Sequence, residues 1–309
     1  MLVNRARPAF TMIELLVALA LLLVIGGAIH DGLRRQQRVF RSIALMVATR
    51  GDVRDAAEVL AADLLSASPL DTLPLATDSA VEFFSAIGVS LSCDSAPQYD
   101  IRIPPEKLAS GLALTSLLMT PDSSDLLLIY NDDSAATAGR PRWDRHAIAS
   151  VSSQPAGSAC PASTGFTTAA DAAAPAYVIT LRGPAAAAIR RGAPVRVVRR
   201  TRYSLYRSSD SRWYLGQRRC NPFGPSACAT VQPLSGPYAG YSQGGQSGVA
   251  FQYFTAAGGA PSASTAGLSA SRVDLAVRGR SVASIYLGRT VPGGYMDSVS
   301  TAVAFRNRD

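Results

Sequence analysis

Glu14 is the one charged side chain inside an apolar run, FTMIELLVALALLLVIGGAI, that occupies residues 10–29. A charged group near the middle of a membrane helix costs roughly 2.5–3.5 kcal/mol on insertion scales, so it is usually kept for a reason. An ordinary membrane anchor gains nothing from it. Four cysteines, Cys93, Cys160, Cys220 and Cys228, form the second set with chemistry to offer, and all lie beyond the apolar run. An even count in an oxidising compartment reads as disulfides, and four cysteines allow three pairings. Cys220 and Cys228 bracket NPFGPSA, a tight Pro/Gly loop, which favours that pair and leaves Cys93 to Cys160. Such bonds typically stabilise by about 2–4 kcal/mol.

Other candidates for a site are sparse. His30 sits beside Asp31 and His146 between Arg145 and Ala147, so neither belongs to a nucleophile or metal motif. There is no H-E-x-x-H, no phosphate loop and no C-x-x-C spacing. No cofactor, no metal and no enzymatic activity are therefore expected. A triad is recognised by geometry, so a hydrolase built on His146 stays as a rival reading, with solvated surface histidines as the simpler account. Asp122, Asp125, Asn131, Asp132 and Asp133 cluster around an expected strand, and their oxygens could serve a hard cation. Without an EF-hand pattern, turn chemistry is the expected role. Trp143, Trp213, Tyr238 and Tyr241 are expected in core or edge packing, with a partner surface as the alternative.

The elements that must position these groups begin with a helix. Residues 10–29 make roughly 30 Å of helix, enough to cross a hydrocarbon core. Arg5 and Arg7 precede the run, so the positive-inside rule keeps the N-terminus cytoplasmic and sends the rest to the periplasm or its equivalent. The helical pattern then continues. Val39, Ile43, Met46, Val53, Ala57, Leu60 and Leu64 form one apolar seam, with Arg50 in its single polar slot. Ser66 to Pro69 ends the pattern, and Gly26-Gly27 is the expected place for a bend or local melting.

Beyond Pro69, short extended runs alternate with turn residues. The expected strands are Ala80–Phe84, Tyr99–Ile103, Asp125–Tyr130, Tyr177–Arg182, Pro194–Arg207, Arg212–Gln217, Val249–Thr255, Arg272–Arg278 and Ser298–Arg306. Pro194–Arg207 and Arg212–Gln217 read as a hairpin, with Val195, Val197, Arg199, Thr201, Tyr203 and Leu205 on one face. Ser134–Ala176 and Gly258–Ala270 are low in apolar bulk and read as loops. The fold class is α+β: a long transmembrane and amphipathic N-terminal helix packed on a mostly antiparallel sheet. Four segments follow, a basic leader over 1–9, a membrane span over 10–29, an amphipathic helix over 30–68 and a β-rich domain over 69–309. The net charge is +8 and Lys107 is the only lysine. The Arg residues are dispersed rather than clustered with aromatics, so nucleic acid is not an expected partner.

Ala9-Phe10-Thr11-Met12-Ile13-Glu14 resembles the prepilin, or class III, signal. In that family a dedicated peptidase cuts before the Phe, methylates the new amine and leaves a Glu at the fifth mature position. The family prefers Gly where this chain has Ala9. The resemblance assigns cleavage and N-methylation to Ala9 and Phe10, and assembly to Glu14. Glu14 would then lie one helical turn from the new amine, on the same face. Its carboxylate would neutralise the amine of a neighbouring subunit; opposite charges attract strongly in low dielectric, and each is costly if left unpaired. A conventional secretory signal is the rival, since Gly26-Gly27-Ala28 could pass for its cleavage site. Glu14 and the helical pattern beyond His30 argue against it.

The resemblance extends further along the chain. Minor pilins of the W type and pseudopilins of the J type carry motifs similar to Ala62-Asp63-Leu64-Leu65, Tyr203-Ser204-Leu205-Tyr206-Arg207, Val249-Ala250-Phe251-Gln252-Tyr253 and Val273-Asp274-Leu275-Ala276-Val277, in this order. Phe305-Arg306-Asn307-Arg308 is like the terminal strand of many W-type subunits. This implies a minor pilin or pseudopilin that joins the tip or initiation complex of a type IV pilus or type II secretion pseudopilus. The implied partners are other pilin or pseudopilin subunits, the prepilin peptidase/methyltransferase and the inner-membrane assembly platform. The implied location is the inner membrane, with the C-terminal domain periplasmic, and then the filament tip. A filament-tip binding module, adhesin or DNA receptor, is the alternative, followed by the membrane-anchored hydrolase.

Overall fold

Proline-free and rich in Ala and Leu, residues 12–65 have nothing to stop a helix once it has started. They form α1 (Met12–Leu65), which runs unbroken through Gly26-Gly27, so the local melting expected there does not occur. The computed structural model describes residues 11–67, 73–95, 99–132, 141–185, 189–223, 227–242, 246–262, 266–286, 290–291 and 294–305. In chain order the strands are β1 (Leu75–Ala76), β2 (Ala80–Leu91), β3 (Asp100–Ile103), β4 (Ser116–Leu117), β5 (Leu126–Asn131), β6 (Arg142–Pro155), β7 (Pro175–Leu181) and β8 (Pro194–Arg207). They continue with β9 (Trp213–Arg219), β10 (Gln232–Tyr238), β11 (Val249–Phe254), β12 (Arg272–Arg280), β13 (Ile285–Tyr286), β14 (Thr290–Val291) and β15 (Met296–Ala304). The chain divides into two compact units, Met1–Gly51 with Arg280–Asp297, and Asp52–Gly279 with Ser298–Asp309.

In the first unit every described side chain from Thr11 to Arg41 is exposed. Burial begins at Ser42 and recurs at Thr49, 3% and 6% exposed, whereas Val39 and Ile43 of the expected seam are 38% and 47% exposed. The buried stripe is thus rotated away from the apolar residues. Both hydroxyls make this possible by donating to the carbonyl four residues back, Ser42 to Arg38 and Thr49 to Leu45, each at 2.8 Å. Residues 280–297 carry the antiparallel pair β13–β14 and fasten to the helix. The Tyr286 amide donates to Ser42 Oγ at 2.8 Å, and Arg50 donates to Asp297 at 2.9 Å and to the Tyr295 hydroxyl at 3.1 Å.

In the second unit the rear of α1 buries Val53, Ala56, Ala57, Leu60 and Leu64 against Val81, Phe83, Tyr203, Leu215, Phe251 and Leu275. Each large side chain so buried contributes about 1.5–3 kcal/mol. The sheet holds the helix through polar groups as well. The Tyr203 hydroxyl donates to Asp63 and receives Gln217 at 3.1 Å, while the Tyr238 hydroxyl donates to the Asp52 carbonyl at 3.1 Å.

The sheet is built on β8. β2 pairs antiparallel along β8 from Pro194 to Ser204. On the other edge β5 takes Val195–Val198 and β9 takes Thr201–Arg207, so two wings leave one strand. One wing runs β9–β10–β12–β11, with β15 also on β12, and the other runs β5–β6–β7–β3. Val195 and Val197 belong to a second core with Ile101, Leu127, Ile148 and Ile179, whereas Tyr203 belongs to the core under α1. The bounds of β8 are those expected from its alternation. The long loop expected over Ser134–Ala176 is corrected: it contains β6, of whose 14 residues only Ile148 is buried, so no alternation marks it.

Candidate functional site

The head of α1 is organised by a short polar network. Thr11 precedes the first helical turn, and its hydroxyl accepts the Glu14 amide at 3.3 Å. Glu14 Oε2 in turn accepts the Thr11 amide and the Thr11 hydroxyl, both at 3.0 Å. This is a capping box, T-x-x-E, in which two otherwise unpaired donors at a helix start are satisfied reciprocally. The carboxylate also lies where the helix dipole favours negative charge. Glu14 is therefore satisfied within its own chain before any partner arrives. Behind it, Leu15, Leu16, Val17, Leu19, Leu21, Leu22, Leu23, Val24 and Ile25 are all more than half exposed. Among the described residues α1 is the helix long and apolar enough to cross a membrane, and none of its apolar window is buried. Ala9 and Phe10 lie outside the described residues.

Residues 4–29 match the prokaryotic N-terminal methylation motif. The chain thus carries a prepilin-type signal, which implies processing by prepilin peptidase and assembly with other pilins, and its apolar helix fits membrane anchoring. The match covers the segment that holds Glu14 and stops before the β-rich part. Neither the curated proteins nor the solved structures contain a match to the chain.

The remaining candidates resolve into structural roles. Cys93 is bonded to Cys160 and Cys220 to Cys228. Beside the second disulfide, buried Glu82 pairs with Arg200 and with Arg202 at 2.6 Å. Sulfurs bonded to each other offer no thiolate, and both carboxylate oxygens are held by guanidinium groups, so this cluster does not fit a cation.

The acidic cluster lies where the two wings part. Asp125 is fully buried and accepts Arg199 at 2.7 and 2.8 Å and Arg219 at 2.8 Å. Asp122 accepts Arg219 and the amide and hydroxyl of Ser124, both at 2.8 Å, while its own amide donates to Asp125 at 2.9 Å. Burial raises the Asp122 carboxyl, but the Arg219 and Ser124 hydrogen bonds outweigh it and hold it well below the usual carboxylate range. The aspartates do serve a turn, and two guanidinium groups occupy the place a cation would take. Sequence reading missed Arg199 and Arg219, which stand 74 and 94 residues from Asp125. Asn131 donates to Asp144 at 2.7 Å, and Asp133 lies outside the described residues.

His146 is not the solvated side chain expected. It sits on β6 opposite Leu127, and its buried Nε2 has no hydrogen-bond partner among the described residues. Burial lowers its pKa, and the Asp144 charge offsets this in part. One motif escaped the sequence reading: residues 240–244 have the spacing G-x-S-x-G. Its catalytic use needs a strand-to-helix elbow. Here Ser242 lies between β10 and β11, its amide donating to Ser247 Oγ at 3.0 Å. Of the aromatic residues, Tyr238 is in the core and Tyr241 is exposed, donating to Asp78 at 3.1 Å. Trp143 packs edge-on against Tyr130, with the Arg196 guanidinium 4.6 Å from its ring centre.

Proposed function

We propose that this chain is a minor pilin or minor pseudopilin, cut before Phe10 and N-methylated there, whose role is assembly rather than catalysis. The observation that carries this reading is Glu14, four residues from Phe10 at the head of a helix whose front stretch, to Arg41, is apolar in its leading half and exposed throughout, within the matched methylation motif. The mechanism is an exchange of partners. While the subunit waits in the membrane, Thr11 satisfies the Glu14 carboxylate. On joining a filament, Glu14 turns to the cationic amine of a neighbour, and the gain of a charge pair in low dielectric selects the register. Arg5 and Arg7 keep the leader cytoplasmic, where the prepilin peptidase reads it, and the assembly platform then extracts the subunit into the growing filament.

The β-rich part supports the minor, tip or initiation role. Two of the motifs shared with W- and J-type subunits meet, since Tyr203 donates to Asp63. Two others pair in register, Val249 opposite Val277 and Tyr253 opposite Val273. Mass spectrometry of the N-terminal peptide from membrane and sheared-filament fractions tests the reading. The expected peptide begins at N-methylated Phe10. An intact Met1, or a start after Gly27, would overturn it in favour of a plain anchor or a secretory signal.

A further inference from the structure

β8 carries five arginines, and the molecule supplies an acid to three of them. Asp125 accepts Arg199 at 2.7 and 2.8 Å, and Glu82 takes Arg200 together with Arg202. Arg207 ends the strand, exposed, and donates to the Ser211 carbonyl at 3.2 Å. Arg196 differs from all of these. It is half-buried, yet it has neither a carboxylate nor a hydrogen-bond acceptor among the described residues. Its guanidinium instead lies 4.6 Å from the centre of the Trp143 ring. A stacked guanidinium is held by its face and keeps its N–H fork, at the edge, for something else.

The register of the strands builds a site around that fork. Val89 of β2 and Leu128 of β5 stand directly opposite Arg196, and Tyr130 of β5 stands opposite Trp143 of β6. Arg196 alternates with Val195 and Val197 of the second core, so it looks out from the other side of the sheet. There Val89, Tyr130, Trp143, Pro194 and Arg196 line an open depression of about 350 Å³. Val89 is 48% exposed and Pro194 is exposed, so part of the lining is apolar and faces water. The Tyr130 hydroxyl and the Trp143 Nε1–H have no hydrogen-bond partner among the described residues either.

These groups specify a ligand. One planar cation with a free fork fits a carboxylate, through two parallel N–H···O bonds. The apolar lining beside a phenol O–H and an indole N–H fits a ring with C–H faces and hydroxyl edges. A fatty acid would leave both of those groups unused, and a phosphate dianion would meet one cation and an apolar wall. We infer that this depression binds a uronate, a pyranose ring carrying a carboxylate, either free or within an acidic polysaccharide. Arg196 holds the carboxylate while its face stays on Trp143, and Tyr130 and Trp143 meet the ring hydroxyls. Every lining residue belongs to the second unit, so the site stands apart from the filament reading.

Calorimetric titration of the full chain in detergent tests this, with galacturonate and its uncharged methyl ester as the two ligands. Galacturonate should bind at least about ten-fold more tightly than the ester, the factor expected of a hydrogen-bonded charge. Arg196→Gln should weaken galacturonate by a similar factor and leave the ester unchanged. A variant that merely disturbs the sheet would weaken both alike, and that result would overturn the role of Arg196. Equal affinity of the unaltered chain for the two ligands, or no binding of galacturonate, would overturn the site. Cyclohexanecarboxylate binding as tightly as galacturonate would remove the sugar, and inorganic phosphate binding more tightly would remove the carboxylate. Trigalacturonate separates the sources: tighter binding than the monomer supports a polysaccharide, and weaker binding supports the free sugar.

Discussion

Met12–Arg41 and Val53–Leu64 belong to one helix but hold their apolar residues in opposite ways. The first stretch is apolar nearly all round over its leading half and exposed throughout. The second is one-sided, with Val53, Leu60 and Leu64 fully buried while Asp55 and Glu58 are exposed. Secondary structure is the same in both, so it does not explain the difference. The solvent does. A helix surrounded by hydrocarbon needs no polar face, whereas a helix between a sheet and water needs one of each. Substitutions in the two stretches should therefore be felt by different observables.

The largest effect is expected in the rear stretch. Leu60→Ala should destabilise the chain by about 2–5 kcal/mol in denaturant unfolding in detergent, while Leu22→Ala should stay within about 0.5 kcal/mol. Comparable losses at both positions would erase the distinction. The converse change is Leu22→Arg, which adds an insertion cost of about 2.5–3.5 kcal/mol. It should shift protein out of the carbonate-resistant membrane fraction and leave the unfolding midpoint of the β-rich part unchanged.

Of the two stretches, alkaline pH should act on the rear one through Tyr238. Burial pushes the Tyr238 hydroxyl, which donates to the Asp52 carbonyl, from 10.0 up to about 12; the Ser235 hydrogen bond opposes this and the Asp52 and Asp55 charges add to it. The unfolded chain releases this proton first, so the stabilisation is complete below pH 10 and is lost as pH rises through about 12. At 1.36 kcal/mol per unit this amounts to about 3 kcal/mol, and Tyr238→Phe should flatten that part of the unfolding profile. The smallest effect is expected at the front. Thr11→Ala removes the cap and should cost about 0.5–2 kcal/mol of local helix stability. Hydrogen exchange should quicken at residues 13–15, with no change in the rest of the molecule.

The same contrast explains what could be read from the sequence. The extent of α1 was legible because neither stretch contains a breaker, and β8 because its two faces have different surroundings. Around residues 39–46 the expected seam is rotated from the buried stripe, because apolar type alone does not mark burial there: Val39 and Ile43 are exposed and Met46 is half-buried. Ser42 and Thr49 are buried instead, their hydroxyls returned to their own backbone. β6 escaped for a related reason, since a strand with both faces largely exposed has no period of two to show. β10 is absent from the expected strands because it holds Pro233, Gly236 and Pro237, residue types that are depleted in strands. The site divides likewise. Glu14 could be found because a carboxylate is conspicuous among apolar residues, but its capping partner Thr11 looked like part of the run. The Asp122, Asp125, Arg199 and Arg219 group joins segments far apart in the chain, and no local pattern marks such a pair.

β8 gives Val195–Val198 to one wing and Thr201–Arg207 to the other, with β2 along its far edge. Stripping either wing away would leave a row of bare N–H and C=O groups on the strand that the other wing still needs. The two cores are therefore coupled through one strand, although each has its own apolar interior. Insertions can accumulate at the outer strands, β3 and β11, where new chain extends an existing rim. A change at β8 is accordingly felt in both cores at once.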